Sequence, residues 1–184
     1  MSMDSPSRID CGPCVLRPWR DEDAASLVHH ANDAAVSWGL ADRFPFPYTA
    51  ADARDFLALP LMHPAERLAV EIGGAAVGGI GFRYLEDVFR SGAQVGYWLG
   101  RAHWGRGVMS TALAAYCEYL FAHRPFERVQ AYVYAGNAAS ARVLEKCRFV
   151  REGWLRRAVI KRGQCLDAAL YARLRAEAEA TAYG

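Results

Sequence analysis

The sequence predicts one α/β domain, and three observations carry the prediction. Its 184 residues, 53% of them hydrophobic, suit a single sizeable core better than two small ones. Short alternating runs separated by glycine turns predict antiparallel hairpins. Other segments, with apolar residues every three or four positions, predict helices that follow strands directly. No Pro/Gly/Ser linker or internal repeat divides the chain. Residues 13–175 are therefore expected to form the domain, with 1–12 a flexible leading segment and 176–184 an Ala/Glu-rich tail.

Residues 14–19 read as a strand, and Asp21, Glu22 and Asp23 open a helix to about residue 31, acids standing where the macrodipole favours them. Residues 33–48 hold Trp38, Phe44, Pro45, Phe46, Pro47 and Tyr48. That density of aromatics and prolines predicts a loop that either lines a site or joins the core. A second helix starts at Thr49 or Asp52 and runs to about residue 59. Residues 67–72 and 76–84 form a hairpin turning at Gly73-Gly74. After a turn-rich stretch, residues 93–99 add the third strand of a meander. Met109, Leu113, Tyr116, Cys117 and Leu120 mark the buried face of a helix over 107–121. Residues 128–134 alternate as a strand and 138–147 form a short helix. A closing hairpin pairs 149–160 with 165–174, with Lys161-Arg162-Gly163 at its tip.

Charge and cysteine usage narrow the function classes. A net charge of +2 from 22 basic and 20 acidic residues is dispersed, so nucleic acid is not a required partner. No apolar run approaches the ~18–20 residues of a membrane span. The first ten residues lack the basic flank and apolar core of a signal peptide, and a cytoplasmic location is expected. Five scattered cysteines argue against a disulfide framework. Cys11-Gly12-Pro13-Cys14 spells a redox tetrapeptide, but no strand precedes it and no helix follows it to lower a thiol pKa. Further ligands at zinc spacing are lacking, so no metal is expected.

Chemistry concentrates in two strand-to-helix junctions. The first runs from Tyr97-Trp98-Leu99 through His103-Trp104-Gly105-Arg106-Gly107 to Val108-Met109. Glycines let the backbone approach an anion, and the free N–H groups and dipole of a helix start attract it, so phosphate is the expected ligand. The spacing matches neither the Walker A loop nor the dinucleotide fingerprint, whose third glycine would fall at Ser110. The second junction, Gly136-Asn137-Ala138-Ala139-Ser140-Ala141-Arg142, follows the strand 128–134. Asn137 reads there as an N-cap or as a ligand contact.

The order and spacing of these junctions resemble the GNAT N-acetyltransferases, in particular the branch of the RimJ and RimL protein N-acetyltransferases. Leu16-Arg17-Pro18-Trp19, Glu22-Asp23, Leu144-Glu145-Lys146 before Phe149, Glu152-Gly153 and Asp167 extend the resemblance over most of the chain. It implies a mixed, mostly antiparallel sheet of about six or seven strands flanked by helices. Two parallel strands, ending near Leu99 and Tyr134, would splay to hold acetyl-CoA. The implied activity is acetyl transfer from acetyl-CoA to a primary amine by direct attack in a ternary complex. A peptide or protein N-terminal α-amine is the expected acceptor. A small-molecule amine (polyamine, amino acid or drug) and a non-catalytic acyl-CoA sensor are the competing readings. The branch includes monomers and homodimers.

The resemblance also assigns residues. The backbone of Trp104, Gly105, Arg106, Gly107, Val108 and Met109 would take the coenzyme pyrophosphate, with Leu99, Asn137, Ser140 and Arg142 completing the coenzyme site; of the nearby guanidinium groups of Arg101, Arg106 and Arg142, that of Arg106 is the first candidate to pair with the phosphates. A backbone N–H at a bulge expected around 97–99 would bind the thioester oxygen. Leu144 stands where many members carry a tyrosine that protonates the leaving thiolate. Ser140, one turn earlier on the same helical face, is expected to act as general acid or hydrogen-bond donor. Glu152 is expected near the acceptor amine, with Glu71, Glu86 and Asp87 as other candidate bases. Trp38, Phe44, Phe46 and Tyr97 would line the acceptor side. Arg148 replaces the usual glycine after the Leu-Glu-Lys helix, where a left-handed turn disfavours arginine by ~1 kcal/mol. Arg101 reads as solvated and His103 as a loop filler, while the cluster Arg156, Arg157, Lys161 and Arg162 reads as a solvated hairpin face or, alternatively, as a contact for an acidic or RNA-bound substrate.

Overall fold

Eight strands and five helices follow one another in the computed structural model, which describes residues 8–59 and 66–176. In chain order the strands are β1 (Ile9–Asp10), β2 (Val15–Pro18), β3 (Arg67–Ile72), β4 (Ala75–Tyr84), β5 (Gly92–Leu99), β6 (Arg128–Tyr134), β7 (Val150–Lys161) and β8 (Gln164–Leu174). The helices are α1 (Ala24–Ala31), α2 (Ala34–Trp38), α3 (Ala50–Ala58), α4 (Val108–His123) and α5 (Ala138–Lys146). The strands make one sheet in the order β1-β2-β3-β4-β5-β6-β8-β7.

Every neighbouring pair is antiparallel except β5 and β6. A parallel pair needs a long crossover, and α4 supplies it. The parallel ladder joins only Gly92–Gln94 to Arg128–Gln130, after which the strands part. This wedge positions the site.

The sheet corrects several expectations. It has eight strands rather than six or seven, the extra one being β1, which is too short to show a pattern. A strand therefore lies inside the segment expected to be flexible, because Ile9 pairs with Leu16 and Asp10 with Val15. Cys11-Gly12-Pro13-Cys14 makes the β1–β2 turn, the Cys11 N–H donating to the Cys14 carbonyl at 2.9 Å. The expected bulge at 97–99 is absent: β4 and β5 keep one register from Gly78↔Leu99 to Tyr84↔Ala93. Within the segment read as loop, α2 forms because the Asp33 carboxylate accepts the Ala35 and Val36 N–H groups, at 2.7 and 3.2 Å. The expected tail at 176–184 falls outside the described residues, Ala176 apart.

The predicted face of α4 is buried against the sheet, where Leu113, Tyr116, Cys117 and Leu120 meet Leu16, Leu68, Val95 and Val129 in the main core. A second cluster holds α1 and α3 through Leu27, Ala31, Tyr48 and Ala53, with Trp19, Phe44, Phe56 and Trp98 packed on it. At the end of β2, the buried Arg17 guanidinium bonds both Asp23 carboxylate oxygens, at 2.7 and 2.8 Å, and the Glu71 carboxylate. Burial pushes the Asp23 carboxyl up, but the Arg17 bonds outweigh it and hold the group below its usual range. The cluster pins the chain entering α1 to β3.

Candidate active site

Where β5 and β6 part, a cavity of about 720 Å³ opens between α2, the end of β5, the loop into α4, and α5. Its first wall is mostly backbone. Gly105 and Gly107 have φ of +74° and +77°, and a Cβ built on either meets no atom within 4 Å. Gly107 caps α4 in the left-handed region, which glycine adopts without strain. The first N–H of α4 to find a helical carbonyl is that of Thr111, which donates to Gly107 O at 3.1 Å. Those of Val108, Met109 and Ser110 come before it and have no intrahelical acceptor. Arg142 and Lys146 of α5 line the same cavity. An open, amide-lined helix start beside two cations suits the phosphates of a coenzyme.

Two side chains meet at the wedge. The Tyr97 hydroxyl of β5 lies 2.9 Å from Ser140 Oγ of α5 and 3.2 Å from the Ser140 carbonyl. Burial pushes the Tyr97 phenol well above its usual range, so it remains an O–H. Asn137 Oδ1 caps α5 by accepting the Ser140 N–H at 3.1 Å, and the residue also lines the cavity. The Leu99 carbonyl accepts the Trp104 indole N–H at 2.6 Å, which fixes the loop on the strand end. Leu144 is fully buried in the core.

Most of the expected site residues line this cavity: Leu99, Trp104, Gly105, Gly107, Val108, Met109, Asn137, Ser140 and Arg142, with Trp38 and Tyr97. Four do not. Arg106 is exposed at the tip of the loop. Phe44 packs into the second core against Tyr48 and Trp98. Phe46 lies over Arg162 on the outer surface. Glu152 sits on the edge strand β7, which β8 and β6 separate from the wedge. There its carboxylate accepts both terminal nitrogens of Arg128, at 2.8 and 2.6 Å. Arg128 holds the Glu152 carboxyl below its usual range, which makes it a poor base as well as a remote one. Of the other candidate bases, Glu71 is bonded to Arg17, and Glu86 and Asp87 are exposed in the turn after β4.

Sequence reasoning missed Trp98, Leu40 and Arg162, which line the cavity from β5, the segment after α2 and the β7–β8 tip. Of the cluster expected to be solvated, Arg156, Arg157 and Arg162 are exposed and Lys161 is not. Lys161 is buried, its Nζ donating to the Leu40 carbonyl at 2.7 Å and to Asp42 at 2.8 Å. Arg162 turns inward beside it, its Nη2 3.1 Å from Ser37 Oγ. His103 also faces the cavity, its ring packed on His30 at 5.4 Å. Burial and the neighbouring Arg106 hold its imidazole below the usual range. Among the described residues, no Asp or Glu lines the cavity, whereas Arg142, Lys146 and Arg162 do.

A family model described as an acetyltransferase (GNAT) domain matches residues 14–150, which include both strand-to-helix junctions and the wedge. The chain belongs to the GNAT acetyltransferases. It is an acetyl-CoA-dependent N-acetyltransferase, and the amide-lined start of α4 fits the coenzyme. An uncharacterized N-acetyltransferase of Bacillus licheniformis, p20, is 30% identical over 170 residues, 89% of this chain and 93% of its own. The ribosomal-protein-serine acetyltransferase of Escherichia coli is 31% identical over 98 residues, 53% and 54% of the two chains. Among solved structures, a GNAT-family acetyltransferase from Bacillus anthracis superposes with a TM-score of 0.81 at 22% identity, over 92% of this chain and 99% of its own. The ribosomal L7/L12 α-N-protein acetyltransferase RimL, in complex with coenzyme A, gives 0.78 at 20% identity over 91% and 97%. These structural likenesses concern the fold.

Proposed function

We propose that this GNAT enzyme acetylates α-amines at peptide or protein N-termini rather than polyamines or lysine side chains. The observation that carries the reading is a cavity with three cationic side chains and no carboxylate among the described residues. The nucleophile must be a neutral amine. At pH 7.5 an α-amine, with a pKa of ~7.7–8.0, is roughly one-third neutral, whereas an alkylamine near 10.4 is roughly 0.1% neutral. A site without a carboxylate neither draws the proton from an alkylammonium nor compensates the second charge of a polyamine. His103, with its lowered pKa, is a weaker base than free imidazole. The E. coli relative, named a ribosomal-protein-serine acetyltransferase, is in keeping with a protein acceptor.

The geometry supports the following roles. The backbone of 104–109 and the cations Arg142 and Lys146 hold the coenzyme phosphates. The amine attacks the thioester carbonyl carbon directly, forming C–N as C–S breaks, and alignment of the two in the wedge supplies much of the rate. Ser140 donates a hydrogen bond to the leaving sulfur. Tyr97, itself kept protonated, donates to Ser140 Oγ and orients it, and the proton lost by the nitrogen balances the thiolate. Glu152 has no part in these steps.

Thiol release from acetyl-CoA, with acetylated products identified by mass, tests the reading against N-terminal peptides, Nα-blocked lysine peptides and spermidine. Turnover confined to free α-amines is expected. Preference for spermidine or for the blocked lysine peptides would overturn it.

A further inference from the structure

We propose that Arg162 forms a carboxylate-binding subsite in the acceptor half of the cavity, so that the preferred acceptor carries a carboxylate close to its amine. The inference rests on the α-amine reading above and narrows it.

Nothing local selects an arginine at this position. Arg162 and Gly163 turn the β7–β8 hairpin with φ of +47° and +78°, two successive left-handed residues of the kind that favours Asn, Asp or Gly. Although the residue is exposed overall, its guanidinium is placed rather than solvated. It bonds Ser37, whose own exposure is 1%, across 125 residues of sequence. It also lies 5.9 Å from the Trp38 ring and 5.2 Å from that of Phe46. Trp38 and Arg162 then stand together on the cavity wall.

The placed cation holds no anion in a direct ion pair among the described residues, although its charge helps to keep the nearby Asp42 carboxyl below its usual range. The nearby Asp42 carboxylate is taken by Lys161 Nζ at 2.8 Å and by the backbone N–H of Arg162. Lys161, Arg162 and Asp42 together leave one positive charge in surplus. A guanidinium that spends one Nη2 hydrogen on Ser37 keeps donors on its other nitrogens, the fork that carboxylates accept. The coenzyme phosphates have their own cations, Arg142 and Lys146, on α5. A carboxylate neighbouring the acceptor amine is the anion that this wall lacks. It has two sources: the α-carboxylate of a free amino acid, or an acidic side chain at the start of a peptide.

Matched acceptors distinguish them, with the full chain and saturating acetyl-CoA. One pair is phenylalanine and phenylalaninamide; the other is Asp-Ala-Ala-amide and Asn-Ala-Ala-amide. In at least one pair the carboxylate member should have a kcat/KM about tenfold higher or more, and the pair that shows it names the source. Arg162→Gln should abolish that preference while leaving the KM for acetyl-CoA and the rate with the neutral member within about twofold, and Arg162→Lys should keep part of it. Equal rates within both pairs would sink the proposal, as would an equal loss on both members in Arg162→Gln. A raised acetyl-CoA KM in that variant would assign Arg162 to the coenzyme instead. Should no α-amine turn over, the α-amine reading fails by itself. Binding of N-acetylphenylalanine against its amide to the coenzyme A complex, by calorimetry, then decides the subsite: preference for the carboxylate sustains it and equal binding ends it.

Discussion

The wall proposed for the donor comes from two stretches of nearly consecutive residues, 103–110 and 136–146, and at the start of α4 it is largely backbone. The acceptor wall draws on α2, the end of β5 and the β7–β8 tip, and its groups are side chains: Trp38, Trp98 and Arg162. A backbone site depends on local conformation, so it tolerates changes of side chain but not of φ. A side-chain site depends on how distant segments pack, so it can change ligand while the fold persists.

The contrast breaks most readily at Gly107. Valine there must adopt a φ of +77°, a strain of about 1–3 kcal/mol for a non-glycine residue, and its side chain enters the open cradle. Gly107→Val should weaken acetyl-CoA binding by roughly 100-fold in a direct titration. Arg106→Ala, which removes only an exposed side chain, should change it by about threefold at most. A reversed order would show that side chains, not amides, hold the coenzyme.

The junction of the two walls gives the next largest effect. Tyr97→Phe and Ser140→Ala should each lower kcat about tenfold, with the acetyl-CoA KM nearly unchanged, because a single hydrogen bond to the reacting sulfur is weakened. The double variant should be no worse than the poorer single one, since the pair acts as a unit. Additive losses would mean that the two hydroxyls act separately.

A smaller effect is expected on the acceptor side. With no carboxylate base among the described residues of the cavity, kcat/KM for a peptide acceptor should rise tenfold per pH unit up to the amine pKa, near ~8. Glu152→Gln should leave that profile and its height within about twofold, since Glu152 is paired with Arg128 on the far side of β8. Loss of an inflection in Glu152→Gln would restore it as the base.

The smallest effect lies at the end of the donor helix. Arg148 has a φ of +65°, and α5 closes with Phe149 N–H on Leu144 O and Arg148 N–H on Glu145 O, at 3.0 and 3.1 Å. That is the turn in which glycine is favoured. Arg148→Gly should be about 1 kcal/mol more stable than Arg148→Ala in denaturant unfolding, with equal kinetics, since both remove the side chain and only glycine relieves the φ.

Read from residues alone, the chain already displayed its hairpins, the buried face of α4, both glycine-bearing junctions and the left-handed turn at Arg148. Each of these is written in consecutive residues through alternation, helical spacing or a required φ. The caps of α2 at Asp33 and of α5 at Asn137 are local in the same way, although the first lay inside a segment dominated by aromatics. Tertiary structure alone decided the rest. The order β6-β8-β7 put Glu152 on an edge strand, away from the wedge, because pattern does not say which strand of a closing hairpin is the inner one. The same order folded Lys161 and Arg162 inward onto Leu40 and Ser37. Packing brought Tyr97 to Ser140 across 43 residues and sent Phe44 into the core while Trp38 stayed at the cavity. Local rules fix backbone geometry, but contacts between side chains far apart in sequence follow from sheet order and packing, which no local pattern contains.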